Sequence, residues 1–224
     1  MQQVRLTLYS FKGRSNQWWA FTQMGLAPEA LQKVEGLQFF KMMGTGAGEG
    51  FRPWPDTGTY ALLTVWNSED HRQQANAEQQ VFLHLAQRCT KSITYGLRPY
   101  RGHGLWHQQQ PFELQHPPEE GERVAVITRA RIKWRWMPYF WWRVRKVSRH
   151  LRSMPGLELA KGIGEWPLVE QATFSIWRQE SDIDQYAYRG NRHREVVKAT
   201  RTTGWYAEEM FMRFAVEGEE VYSP

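Results

Sequence analysis

Two stretches of this sequence, "GLQFFKMMGTG" (residues 36–46) and "GLELAKGIGEW" (residues 156–166), carry the same pattern. Gly36 matches Gly156, Leu37 matches Leu157, Lys41 matches Lys161 and Gly44 matches Gly164. The correspondence extends outward in the same order. Downstream, "ALLTVWNSED" (61–70) matches "ATFSIWRQES" (172–181) and aligns Trp66 with Trp177. Upstream, "VRLTLYSFK" resembles "VAVITRARIK", and a Trp-Trp pair follows each, Trp18-Trp19 and Trp141-Trp142. Ordered matches of this kind indicate an internal duplication. Its period, about 110–120 residues, is far too long for a solenoid repeat and is the size of a small domain.

Each half reads as strand, helix, strand, strand, helix, strand. In the second half "RVAVITRARI" alternates as a strand does. "FWWRVRKVSRHL" places Phe140, Val144, Val147 and Leu151 at helical spacing, opposite Arg143, Lys146 and Arg149. "GLELAKGIG" and "EQATFSIW" form a strand pair, and "EEMFMRFAV" a last strand. The stretch 181–204 reads as a helix with Ser181 or Asp182 as N-cap and Gly204 as its stop. This order is the split βαβ, ferredoxin-like motif. The expected fold is therefore α+β: two tandem ferredoxin-like (βαββαβ) halves, 1–100 and 124–224, packed as an intramolecular dimeric α+β barrel. The Gln-, Pro- and Gly-rich segment 101–123 is the linker between them.

Composition narrows the function only coarsely. The chain has 224 residues, enough to bury a substantial core, and its twelve tryptophans and eleven phenylalanines suit a core, an apolar pocket or a membrane interface. A net charge of +6 suits an acidic partner, an anionic membrane or an anionic cofactor. The single cysteine, Cys89, excludes an intramolecular disulfide and a Cys-rich zinc site, and reads as a small buried hydrophobe. With no signal peptide and no apolar run of spanning length, a cytoplasmic location is expected, peripheral to the inner membrane where the chain touches lipid.

Motifs for hydrolytic triads, Walker loops and dinucleotide binding are absent. "GTGAGEGF" (44–51) is glycine-dense, an insertion relative to the second half; it reads either as a flexible connection or as a loop that lets backbone approach a ligand. His103, His107 and His116 lie in the linker with no carboxylate cluster beside them, a poor pattern for a metal. His71 and His84 fall in the second helical region of the first half, and His150 on the basic helix. His193 begins the face that continues through Val196, Val197 and Thr200, so it is either a ligand under the sheet or an ordinary helix-start residue. "RIKWRWMPYFWWRVRK" (131–146) is simply strand and helix, a nucleic-acid surface, or a membrane-surface element; Trp with Arg and Lys, outside any nucleic-acid module, favours the membrane and no nucleic acid.

Three second-half stretches, "VAVITRARIK", "KGIGEWPLVEQATFSIW" and "RHREVVKATRTTGWYAEEMFMRFAV", resemble the spheroidene monooxygenase family. So do "WWAFTQMGLAPEAL" and "GLQFFKMMGTGAGEGFRPWPDTGTYALLTVW" in the first half, so the resemblance covers nearly all of the chain outside the linker. It implies a haem-dependent monooxygenase that adds oxygen near the end of an acyclic carotenoid, with a ferredoxin-type electron donor. The cofactor so implied is haem b, its iron held by an axial histidine. The family-like stretch then points to His193 as the iron ligand, to Arg192, Arg194 and Arg201 as partners of the propionates, and to Trp177 as part of the wall. A substrate dissolved in membrane gives the helix 138–151 a purpose at the bilayer surface. Two other readings stay open: a haem-dependent dehydratase or other non-oxygenase, and a haem or small-molecule carrier without enzymatic activity.

Overall fold

The computed structural model of the chain describes residues 1–48, 54–137, 154–166, 170–189 and 206–223. The elements, in order, are β1 (Gln3–Ser10), α1 (Arg14–Leu31), β2 (Leu37–Gly46), β3 (Pro55–Trp66), α2 (Glu69–Glu78), α3 (Gln80–Arg88), β4 (Lys91–Gly104), β5 (Val124–Ile132), a 3-10 turn (Trp134–Trp136), β6 (Leu157–Trp166), β7 (Glu170–Trp177), α4 (Glu180–Arg189) and β8 (Tyr206–Tyr222). The strands close into one antiparallel barrel ordered β1-β3-β2-β6-β7-β5-β8-β4. Split at its two seams, the barrel is β4-β1-β3-β2 joined to β8-β5-β7-β6, the same order twice. The expected α+β barrel of two ferredoxin-like halves is the fold of this chain.

The duplication holds at the level of single hydrogen bonds. Trp66 pairs with Gln3 and Leu37, and Trp177 pairs with Val124 and Leu157. β2 and β6 each shift register at the same place, just after Leu37 and just after Leu157. The amide of Asn67 donates to Gly36 at 2.8 Å and that of Arg178 donates to Gly156 at 2.8 Å. Gly36 and Gly156 hold φ of 75° and 84°. A Cβ there would lie 2.3 Å from the His71 ring and 2.2 Å from the Asp182 carboxylate respectively, so both the left-handed turn and the close approach of the next helix demand glycine.

Helix placement repeats too. Glu69, in the first turn of α2, bonds Arg5 of β1 at 3.0 Å; Glu180, in the first turn of α4, bonds Arg213 of β8 at 2.7 Å. The acid keeps its place in both halves while the arginine moves to the neighbouring strand. Arg72 bonding holds the Glu69 carboxyl below its usual range. α4 starts at Glu180, one or two residues before the caps expected from the sequence, so Asp182 lies in its first turn and meets Gly156.

Both faces of the sheets are covered. Val4, Leu6 and Leu8 of β1 point into the barrel beside Ala125, Ile127, Phe174, Met212 and Phe214. A second cluster, including Leu31, Tyr60, Leu62, Trp66, Phe82 and the buried thiol of Cys89, fills the space under α1 to α3. Within 101–123, residues 101–104 continue β4, while Trp106 and Phe112 enter the barrel core. Phe112 meets Phe214 edge-on at 5.1 Å. The helix expected over 138–151 lies outside the described residues.

Substituting alanine for Gly36 or for Gly156 should destabilise the protein by a similar amount, about 1–3 kcal/mol each. Urea denaturation of the two variants measures this; a cost confined to one of them would contradict the equivalence of the halves.

Candidate functional site

The barrel is asymmetric in two places. The first is one mouth, where β5 carries Arg129 opposite Ala172, the position that Leu8 occupies opposite Ala61 in the first half. A buried arginine must be paired. Its Nη1 donates to Glu208, Nη2 lies 3.7 Å from Glu170 and its guanidinium lies 5.3 Å from the centre of the Trp106 ring. Trp106 donates from Nε1 to Glu165 at 2.7 Å. Lys41 bridges to the other Glu165 oxygen at 3.0 Å.

The linker enters here as a tight turn, Trp106–Gln109, closed by backbone bonds in both directions at 2.8 and 3.2 Å. Its central residues, His107 and Gln108, have φ of 51° and 62°, the geometry that Asn-Gly normally supplies. Glu208 accepts both central amides, at 3.0 and 2.8 Å, and so offsets that strain. Burial pushes the Glu208 carboxyl up, but these amides and Arg129 outweigh it and hold the carboxyl below its usual range.

The nitrogen of His107 and oxygens of Glu165 and Glu170 come within 4.8 Å of one another. The linker histidines looked unpromising for a metal because no carboxylate lies near them in sequence; the carboxylates arrive on β6 and β7. They are already engaged, Glu165 by Lys41 and Trp106, and Glu170 by Arg129, Arg131 and His107. His107 uses both ring nitrogens, one 2.8 Å from Lys41 Nζ and the other 3.3 Å from Glu170. The cluster is an ion-pair latch that fixes the linker in the barrel mouth.

The second asymmetry is the helix-facing side of the second sheet. In the first half this side is bulky: Tyr9, Phe40, Met42, Tyr60 and Leu62 pack beneath the helices. Strand register gives their counterparts as Ala130, Ala160, Gly162, Gln171 and Thr173. Every one of these five is smaller or more polar. Thr173 is buried, yet its hydroxyl has no hydrogen-bond partner among the described residues. Only β8 reverses the trade, with Phe211 and Arg213 where β4 has Thr94 and Gly96. The result is a cradle of small side chains, of which Ala130, Ala160, Gly162 and Thr173 are buried, beside Trp177, which is itself buried, donates to Ser175 Oγ at 3.0 Å and meets Tyr186 at 5.6 Å.

Of the residues singled out from the sequence, Trp177 stands at the edge of this cradle. His193, Arg192, Arg194, Arg201 and His150 lie outside the described residues. Among the described histidines, His71 is 2.7 Å from Ser68 Oγ, His107 is engaged as above, and His84, His103 and His116 are exposed.

A closed eight-stranded barrel made from two βαββαβ halves of one chain defines an intramolecular dimeric α+β barrel. Two solved aldoxime dehydratases share that fold: one at a TM-score of 0.59 and 10% identity, covering 100% of this chain and 85% of that one; the other, in complex with butyraldoxime, at 0.60 and 8%, covering 100% and 83%. At such identities the likeness is one of fold alone. No family model matches the chain. Whole-chain comparison is more specific. The spheroidene monooxygenase of Rhodobacter capsulatus is 32% identical over 222 residues, 98% of this chain and 92% of the relative. That of Cereibacter sphaeroides is 31% identical over 219 residues, 97% and 68% of the two chains. The chain belongs to the spheroidene monooxygenase family.

Two variants test the latch. Glu208→Ala, which leaves Arg129 and the turn amides without their shared acceptor, should cost about 3–5 kcal/mol in urea denaturation. Gln108→Gly, which relieves a left-handed residue, should stabilise by roughly 1 kcal/mol. Because folding lowers the Glu208 carboxyl, the unfolded chain binds more protons in acid. That contribution is full above the ordinary value of about 4.5 and is lost as pH falls through the lower folded value. Glu208→Ala should therefore flatten this part of the acid dependence, and an unchanged profile would contradict the assignment.

Proposed function

We propose that this protein is a haem-dependent monooxygenase that oxygenates an acyclic, spheroidene-like carotenoid or a similar apolar molecule, using O2 and a ferredoxin-type electron donor. The observation that carries this reading is the cradle on the second sheet: five positions that are filled by large side chains in the first half are reduced there to Ala130, Ala160, Gly162, Gln171 and Thr173. A planar group needs such a face, and the fold offers the bulky face of the first half as its contrast. Family membership supports oxygenation as the reaction.

In this reading the residues that would hold haem b are the cradle beside Trp177, His193 as the ligand of its iron, and Arg192, Arg194 and Arg201 as partners of its propionates. When bound, the haem supplies O2 activation; one oxygen atom enters the substrate and the other leaves as water, with two electrons and two protons delivered through the donor. The chain's own work is to hold the axial ligand in one tautomer, to balance the propionate charge and to keep water from an apolar pocket. The Thr173 hydroxyl is a polar group on the cradle available to a ligand. The Trp-, Arg- and Lys-rich segment 138–151 gives a cytoplasmic enzyme contact with the inner membrane, where its substrate resides. Among the described residues no helix is long and apolar enough to cross a membrane.

Restoring first-half bulk should remove the cofactor without unfolding the barrel. Thr173→Leu and Gly162→Met, which copy Leu62 and Met42, should lower haem content as read from the absorption spectrum while circular dichroism stays as in the wild type. His193→Ala should lose tight haem binding or recover a spectrum with added imidazole, whereas His150→Ala should change little. Wild-type haem content in His193→Ala would overturn the ligand, and in the two cradle variants would overturn the cradle.

A further inference from the structure

α1 buries little of its own apolar surface: Ala20, Ala27 and Leu31 are its buried residues. Trp19 and Met24 pack partly on the layer beneath, whereas Trp18 and Phe21 go the other way. Trp18 is 68% exposed and Phe21 57% exposed, with their rings 5.6 Å apart. Phe21 lines a groove of about 930 Å3 between α1 and β2, together with Met24, Phe39, Phe40, Pro55 and Trp166. Trp166, at the end of β6, is 68% exposed, and Trp54, beside Pro55, is 74% exposed. Of the five exposed Trp and Phe side chains among the described residues, only Trp134 is neither in this groove nor next to a residue that lines it. Exposed aromatics gathered around one groove mark an interaction site rather than ordinary surface.

Charge selects the partner. From Lys12 to Pro28 the chain carries Lys12 and Arg14, both exposed, and no carboxylate. The acids that do line the groove are spoken for: Asp56 is paired with Lys161 at 3.0 Å and Glu165 with Lys41 at 3.0 Å. The α1 face therefore combines tryptophan and phenylalanine with two exposed cations, Lys12 and Arg14, at the start of the helix, in a chain of net charge +6, while Glu29 further along α1 is paired with Lys33 at 2.9 Å. Tryptophan prefers the level of lipid headgroups, and basic residues add attraction to anionic lipid. We infer that the α1 face, with Trp18, Phe21, Trp54 and Trp166 around the groove, docks on an anionic lipid bilayer. This is a different surface from segment 138–151, and it stands whether or not haem is bound.

The test uses the full chain, with and without haem. Cys89 is buried, so a cysteine introduced at position 21 (Phe21→Cys) or at 222 (Tyr222→Cys) can carry an environment-sensitive fluorophore. With vesicles of phosphatidylcholine containing phosphatidylglycerol, the label at 21 should shift to the blue and brighten, and the label at 222 should not. Trp18→Ala with Phe21→Ala should weaken vesicle partitioning by roughly tenfold or more, as expected for losing two inserted aromatics, with the circular dichroism unchanged. Added salt should weaken binding further. Failure to bind these vesicles, or binding with the label at 21 still in water, overturns the inference. So does a dimer by light scattering in which the label at 21 is already shielded without lipid, since a second copy of the chain would then cover this face.

Discussion

Everything in this molecule depends on closing the open edges of two four-stranded sheets. Each ferredoxin-like half leaves β2 and β4, or β6 and β8, with unpaired backbone groups, which is a liability in water. Closure pairs them across two unequal seams. The β4–β8 seam is long, from Ser92 opposite Tyr222 to Gly104 opposite Met210. The β2–β6 seam is short, Gly44 and Thr45 against Gly164 and Ile163. At the short seam the duplicated lysines act reciprocally: Lys41 of the first half reaches Glu165 of the second, and Lys161 of the second reaches Asp56 of the first, each at 3.0 Å. Burial raises the Asp56 carboxyl, but the bonds from Lys161 and the Gly58 amide prevail and hold it low.

On that symmetric frame, function comes from departures. One is Arg129 in place of an inward leucine, which draws Glu165, Glu170 and Glu208 into a latch and lets the linker plug the mouth. The other is the reduced face of the second sheet. The two halves thus differ on this side: the first keeps its large side chains in an apolar layer under α1 to α3, and the second sets small, buried residues at the matched positions. A lost aromatic or methionine contact costs stability unless something else fills the volume. Under the proposed function, that filler is the cofactor.

The repeat made the fold legible. Gly36 and Gly156, and the strand-ending Trp66 and Trp177, recur at matched positions in both halves, so the βαββαβ order could be read from the repeat together with the flanking strand and helix patterns. The latch was not legible. His107 and Gln108 occupy a turn for which no Asn or Gly gives the signal, and the carboxylate that holds it follows about a hundred residues later. Nor was the buried role of Trp106 and Phe112, which sit in a stretch whose glutamines and prolines suggest only a polar connection. The cradle had a weak signature, visible when "QFFKMM" is laid over "ELAKGI": the bulk disappears while the lysine stays. His193 stood out through the family-like stretch around it rather than through spacing.

The central claim is that a duplicated chain uses only its second half to hold a cofactor. The most direct measurement is the molar ratio of haem to polypeptide in the purified protein, from the pyridine haemochrome spectrum and amino-acid analysis. The account predicts one haem per chain. Two haems would show that both halves bind alike, and a protein that takes up none on reconstitution would show that the reduced face serves another purpose.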